Sequence, residues 1–247
     1  MFDTSCAPHA SLHGPENFGD TLCAAFQSRF EVLSADTPEL IRQAQEVRYQ
    51  VYCSEHAFLP IENPQGIETD EFDSHAVHTL LLSRQTGVPL GTVRLIMPLA
   101  NALERSFVVQ RLLDASALKM LHSLPLHSMA EVSRFSISRQ FRRVMTDRVE
   151  GNSGPLMRLG LFQGLVRMSI EHGISHWCAL MEPTLLRMFS AMAIRCQPIG
   201  PLVEFHGLRQ PCFMDVYAML DTLMRERPAF WEIMTNRGAL RNCAVAA

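Results

Sequence analysis

Glu131-Val-Ser-Arg-Phe-Ser-Ile-Ser138 restricts the fold more than any other stretch of this chain. Its β-branched and aromatic residues read as a strand, and alternation sends Glu131, Ser133, Phe135 and Ile137 to one face and Val132, Arg134, Ser136 and Ser138 to the other. A carboxylate and a guanidinium thus flank β positions in mid-chain. Burying them costs several kcal/mol, on the order of magnitude of a domain's net stability, unless they are paired or hydrogen-bonded. Three readings follow: a strand end with solvated charges, a structural ion pair, or a site. For Glu131 and Arg134 to serve one site, a regular strand will not do. The backbone must bulge or twist between them.

With 247 residues, 47% of them hydrophobic, the chain can bury one full core. The formal net charge of -3 exerts no global pull on nucleic acid or anionic membrane, so an electrostatic partner must be met by a local patch. The 7 cysteines are scattered and odd in number, without a C-x-x-C pair. That argues against a disulfide framework or a zinc knuckle and for a reduced, cytoplasmic protein. A basic segment followed by an apolar run is missing at the N-terminus, and no apolar run is long enough to span a bilayer, so a soluble protein without signal peptide or transmembrane segment is expected.

Residues 1–27 mix His, Pro, Gly and Ser without period and are expected to form a flexible leader. Residues 28–247 are expected to form one domain with a C-terminal helical extension. Phe30 to Leu33 is a short first strand. Asp36-Thr-Pro-Glu39 supplies a helix start, and Leu40, Ala44, Val47 and Val51 follow at helical spacing, so the helix should run to about Cys53 with Arg48 and Tyr52 one turn apart. The loop of residues 54–73 carries the acidic run Glu68-Thr-Asp-Glu-Phe-Asp73. Strands are expected at Val77–Ser83 and Leu90–Met97, joined by a hairpin turn, with Arg94 inside the second. A mostly helical connection leads to the strand at Met129–Ser138. A long helix is expected over Leu156–Glu171, a strand at His176–Met181 and a helix at Thr184–Ala193. Two last strands are expected at Ile199–Phe205 and Phe213–Tyr217, then a closing helix over Met219–Asn236 broken at Pro228. This order gives an α/β (α+β) fold, a mixed central sheet with helices on both faces.

Arg48, Asp70, Asp73, Arg94, Glu131 and Arg134 come from a helix, a loop and neighbouring strands. If they converge, alternating acids and arginines suit a zwitterion, because Arg takes a carboxylate in a fork and Asp or Glu holds or deprotonates an ammonium. The alternative is purely structural, with Arg94–Glu131 and Arg48–Asp73 pairs tying loop to sheet. Asp70, Asp73, His75 and His78 have metal-ligand chemistry but match no metal spacing, so no metal is expected. Cys53 and Cys178 lack a matching His and Asp set for nucleophilic catalysis.

The patterns Arg48-x-x-x-Tyr52, Glu68-x-Asp-Glu-Phe-Asp73, Gly91-Thr-Val-Arg-Leu95 and Glu131-Val-Ser-Arg-Phe135 together resemble the acyl-homoserine-lactone (autoinducer) synthases and the long-chain N-acyl amino acid synthases. Glu204-Phe-His-Gly-x-Arg209-x-Pro211 extends the likeness to the acyltransferases associated with the PEP-CTERM/exosortase system. The resemblance spans roughly residues 30 to 215. It implies a GNAT-like acyltransferase fold and acyl-carrier protein as acyl donor, delivered as acyl-phosphopantetheine, with no bound cofactor. It further implies catalytic positions at Glu131, Asp73, Asp70 and Arg94, and substrate-binding positions at Arg48, Tyr52, Arg134, Ser133 and Phe135. Autoinducer synthases carry a Trp soon after the helix aromatic. Here the stretch is Ser54-Glu-His-Ala-Phe-Leu59, which turns the expectation from a lactone product toward an acyl amino acid.

On that reading a small amine, an amino acid for choice, attacks an acyl thioester. The amine must lose a proton, and Glu131 is the first candidate to take it, with Asp73 or Asp70 orienting the nucleophile. Backbone N–H groups of a splayed or bulged strand after Phe135 would hold the oxyanion. Gly151-Asn-Ser-Gly154-Pro155 has only part of a pyrophosphate-binding turn and suits a single phosphate better. Arg139, Arg142 and Arg143 would then meet an acidic carrier protein. Met157, Met168, Met181, Met188 and Met192 are candidates for an acyl channel, although methionines at helical spacing are more often core. Two other functions fit the residues: an autoinducer synthase using S-adenosylmethionine, and a non-catalytic protein that binds acyl groups or the carrier.

Overall fold

A computed structural model describes residues 16–60, 65–140 and 153–240. Elements in chain order are α1 (Glu16–Arg29), β1 (Phe30–Ala35), α2 (Pro38–Tyr49), a π-helical turn (Gln50–Glu55), a 3-10 turn (Glu71–His75), β2 (Ala76–Ser83), β3 (Pro89–Ile96), α3 (Ala115–His122) and β4 (Met129–Ile137). The second half holds α4 (Gly154–Glu171), β5 (His176–Met181), α5 (Pro183–Ala191), β6 (Gln197–Pro198), β7 (Val203–Glu204), β8 (Leu208–Asp215), α6 (Val216–Glu226) and α7 (Pro228–Met234). The main sheet runs in the order β1-β2-β3-β4-β5-β8-β6, with β7 paired to β8. β4 and β5 are parallel, while β1 to β4 form an antiparallel meander and β5 pairs antiparallel with β8. The expected α/β architecture is therefore present.

Local chemistry explains most boundaries. Thr37 caps α2 by accepting from the Leu40 N–H, and Pro38 occupies the first turn, where its missing N–H costs nothing. Asp215 caps α6 through the Ala218 N–H, and Pro228 opens α7, so the closing helix breaks where the proline requires. α4 is buried almost all round and lies on the sheet. Gly160 and Gly164, one turn apart on one face, allow that approach: a Cβ on Gly160 would come within 2.7 Å of Leu81 Cδ1, and one on Gly164 would collide with Thr79.

Three segments depart from expectation. Residues 16–27 belong to α1 rather than to a leader, with Cys23 and Phe26 buried in the main core and Cys23 Sγ donating to Glu232 at 3.3 Å. The strand expected over Ile199–Phe205 reduces to two short pairings on β8. β8 itself begins at Leu208 and ends at Asp215, so Tyr217 lies in α6. The connection of residues 99–128 contains 3-10 turns and the single helix α3.

The sheet divides two hydrophobic clusters. Val93, Leu95, Ala130, Trp177 and Ala179 face α4, while Ile96, Met129 and Cys178 face the connection carrying Phe107, Val109 and Leu121.

Candidate active site

β4 is regular only as far as Ser133. Its register with β3 runs Arg94↔Ser133 but Thr92↔Ser136, so β4 holds one extra residue, and Arg134 takes a left-handed φ of 54°. This is the bulge that the charge pattern demands. Its effect on side-chain direction can be read from the contacts: Val132, Phe135 and Ile137 all pack on the α4 side, whereas Ser133 and Arg134 turn to the face that carries Glu131 and Arg94. Phe135 and Ile137 therefore do not share a face with Glu131, as a regular strand would have them do. Glu131 and Arg134 do.

Arg134 joins a buried network. Arg48, at the end of α2, donates to Glu68 Oε2 at 2.5 Å and grips Asp73 with both terminal nitrogens at 2.6 and 3.0 Å. Arg94 grips Asp70 at 2.7 and 2.8 Å, reaches Asp73 at 2.6 Å and donates to Ser133 Oγ at 3.2 Å. Arg134 donates to both oxygens of Glu68 and to Asp70 Oδ2. Three guanidinium groups balance three carboxylates, with Arg48 and Arg94 fully buried. The acidic loop folds back on itself to present them. Asp73 Oδ2 accepts from the Asp70 N–H and Asp70 Oδ1 from the Phe72 N–H, which caps the 3-10 turn. Burial opposes ionisation of these acids, but the arginines outweigh it and hold Glu68, Asp70 and Asp73 below the usual carboxylate range. His78 beside them is driven down to about 4 by burial and by the nearby Arg48 and Arg94 charges, so it is neutral at pH 7.

Glu131 has the opposite environment. It is 3% exposed, and Oε2 accepts from the Val109 N–H at 2.9 Å; none of its hydrogen bonds among the described residues comes from a guanidinium. Burial raises its pKa to about 7, against the lowering effects of the Val109 N–H and of Arg94 and Arg134. Of the two pairs in the structural alternative, Arg48–Asp73 forms and Arg94–Glu131 does not, because Arg94 is committed to Asp70 and Asp73.

Beside Glu131 the sheet opens. Parallel pairing of β4 with β5 covers Met129↔His176, Ala130↔Trp177 and Glu131↔Cys178 and then stops. A cavity of about 510 Å³ occupies the wedge. It is lined by every residue from Glu131 to Phe135 and from Trp177 to Met181. Successive strand residues point to opposite faces, so a cavity with such walls passes through the sheet. On the α4 side Phe135, Phe162, Trp177, Leu185 and Phe189 make an apolar pocket, with Phe162 and Phe189 packed edge to face at 4.9 Å. On the other side lie Glu131, Cys178 and Leu180, with Tyr52 from the π-helical turn, His56 and Phe58 just after it, and His206 and Arg209 from the β7–β8 hairpin. The Arg134 guanidinium stands 5.2 Å over the Tyr52 ring.

Of the residues singled out from sequence, Glu131, Ser133, Arg134, Phe135, Tyr52 and Arg139 line this cavity. Arg48, Asp70, Asp73 and Arg94 stand behind the wall as the ion-pair network. Gly154 is buried in the first turn of α4, outside the cavity wall. Arg142, Arg143 and Gly151 lie outside the described residues. Of the five methionines named as channel candidates, Met181 alone lines the cavity, and Met157 and Met168 are core. Sequence reasoning missed Glu68, although its place in the acidic run beside Asp70 was the available signal. It also missed Phe162, Trp177 and Phe189, whose contribution depends on how α4 and α5 meet the wedge. Cys178 beside Glu131 has its thiol pKa pushed well up by burial and the adjacent carboxylate, which does not suit a nucleophile. No group of three metal-ligating side chains occurs among the described residues, nor a helix long and apolar enough to cross a membrane.

Residues 47–149, under half of the chain, match the acetyltransferase (GNAT) domain. No curated protein matches the sequence. Among solved structures, TofI in complex with an inhibitor and MTA superposes with a TM-score of 0.56 at 19% identity, covering 82% of this chain and 96% of its own. FeeM, an N-acyl amino acid synthase from uncultured soil microbes, gives 0.53 at 17%, covering 78% and 94%. BjaI, a CoA-dependent acyl-homoserine lactone synthase seen with SAM and isopentyl-CoA, gives 0.54 at 17%, covering 88% and 99%. At such identities the likeness is one of fold. Together with the domain match it shows a GNAT-like fold, and the splayed β4–β5 pair opens the cavity within it.

Proposed function

We propose that this protein is an N-acyltransferase that moves a long acyl chain from acyl-carrier protein to the amine of an amino acid or similar small amine. The observation that carries the reading is Glu131, a buried carboxyl with a pKa of about 7 at the head of a cavity that passes through the sheet. A thioester carbonyl in the wedge would leave its acyl chain in the aromatic pocket beside α4 and meet the amine on the face of Glu131. An α-amine is largely protonated near neutral pH, and a base that titrates near 7 takes its proton with useful efficiency. Past Glu131, β4 and β5 no longer bond to each other, so backbone N–H groups facing the wedge are candidates to stabilise the oxyanion. Tyr52 and Phe135 shape the walls, while Asp70, Asp73 and Arg94 act through position: they hold Arg134 and Ser133 in the bulge.

Acyl-carrier protein is favoured as donor by the incomplete pyrophosphate turn at Gly151–Gly154 and by Arg139 at the cavity, where a single phosphopantetheine phosphate would lie. A cytoplasmic setting, expected from the scattered cysteines, and an association with exosortase-linked sorting, implied by the sequence motifs, belong to the same reading. Incubating the protein with palmitoyl-acyl-carrier protein or palmitoyl-coenzyme A and a panel of amines, with mass detection, tests it. Intact N-acyl amino acids formed faster from the carrier protein are expected. An acyl lactone, faster use of coenzyme A, or no transfer would contradict it.

A further inference from the structure

Resting on the acyltransferase reading, we propose that Arg209 binds the carboxylate of the acceptor, so that the protein acylates amino acids and discriminates against amines that lack an anionic group. The cavity is lined by three arginines. Arg134, the residue that sequence alone nominates for a carboxylate, is spent on Glu68 and Asp70. Arg139 is exposed at the end of β4. Arg209 differs from both: it is as covered as Arg134, with 15% of its side chain exposed, but its guanidinium is held by backbone oxygens rather than by buried carboxylates, that of His206 at 2.7 Å and that of Leu208 at 3.1 Å. Its one ion-pair partner among the described residues is Glu182, half-exposed and 3.6 Å away. Carbonyls fix the direction of a guanidinium without neutralising it, and Glu182, which also lines the cavity, is half-exposed at 3.6 Å and offsets that charge only in part.

Sheet register places that charge where a zwitterion needs it. Glu131, Cys178 and Phe213 form one row across β4, β5 and β8, Leu180 and Pro211 form the next, and just past the last register pair, Met181 with Gln210, the Glu182–Arg209 ion pair stands where a third row would lie. Side chains two residues apart share a face, and consecutive rows stand roughly 7 Å apart. Hydrogen bonding between β4 and β5 closes the first row, so a thioester can enter only beyond it, between Glu131 and Arg209. An amine attacking there has the carboxylate of Glu131 on one side, within reach through a water, and the guanidinium of Arg209 leaning in from the other. The first and third rows stand roughly 14 Å apart along the strands, an interval that the Arg209 side chain, a water at Glu131 and an acceptor carrying both an amine and a carboxylate would fill together.

The test uses the full chain, the acyl-carrier donor, and the standard amino acids beside their carboxamides, which keep the amine and lose the anion. The wild type should favour the free acids by about 10- to 100-fold in kcat/KM, the range of a charge-assisted hydrogen bond. Arg209→Gln should raise KM for the acids by a similar factor, leave kcat within a few-fold, and leave KM for the carboxamides unchanged. Carboxamides used as well as acids by the wild type, or equal effects of Arg209→Gln on both, would overturn the assignment. If the wild type acylates no amine, the acyltransferase reading fails on its own, and calorimetric titration of acid against carboxamide still decides whether Arg209 holds a carboxylate.

Discussion

Two sets of buried acids lie on one face of the same sheet and behave in opposite ways. Glu68, Asp70 and Asp73 are surrounded by Arg48, Arg94 and Arg134 and stay ionised, so none of them can accept a proton near neutral pH. Glu131, on the neighbouring β4 position, receives a backbone N–H but no guanidinium, and burial leaves it poised near 7. Environment rather than residue type separates the roles, as it does wherever one site uses two carboxyls for different work. The network holds the bulge, and the solitary acid is the one that the proposed function uses as a base.

The largest effect should come from breaking the network. Arg48→Ala strands Glu68 and Asp73 in a buried place and should cost about 3–5 kcal/mol of stability in a denaturant titration. A loss under 1 kcal/mol would mean that water replaces the guanidinium and the network is no scaffold. Glu131→Gln should fold normally yet lower kcat by about 100-fold or more, the usual worth of a positioned base. Activity within threefold of wild type would remove Glu131 from the proton path.

Stability against pH contrasts the two sets by sign. The network acids, with lowered pKa values, stabilise the fold at neutral pH, and that contribution is lost as pH falls through their depressed values. Glu131 works the other way: between the ordinary value of 4.5 and about 7 the folded state keeps a proton that the unfolded state has lost, so stability declines as pH rises across that window. The Tm of Glu131→Gln relative to wild type should therefore climb by a few degrees from pH 4.5 to 7 and then level off. A flat difference would show that Glu131 is not raised. The smallest effect concerns the pocket on the far side of the sheet. Phe189→Leu opens its aromatic wall and should shift preference toward longer acyl chains by about fourfold per added methylene, from the ~0.8 kcal/mol of burying one. Unchanged chain-length selectivity would place the acyl group elsewhere.

Much of the fold was legible because period and punctuation agreed. β5 follows the expected His176–Met181, and the proline at residue 228 divides the closing helices. α1 was not legible, since its residues 16–29 carry a weak apolar stripe and owe their burial to packing against α7 and the core. Within the site, alternation alone required a bulge or twist between Glu131 and Arg134, and the register slips just after Ser133, where Arg134 and Phe135 stand opposite the single residue Val93. The sequence could not show which acids the arginines neutralise, because pairing is decided by how the acidic loop folds over the sheet. Asp70 and Asp73 therefore looked as reactive as Glu131, and Glu68 did not stand out.

The most direct test of this division is to observe the carboxyl of Glu131 itself. Protein labelled with 13C at glutamate side chains and compared with Glu131→Gln should show one resonance, absent from the variant, that titrates near pH 7, while the Glu68 resonance titrates below the ordinary glutamate range. A Glu131 resonance that titrates below pH 5 would contradict the account, since the residue would then be one more ionised acid beside a row of arginines.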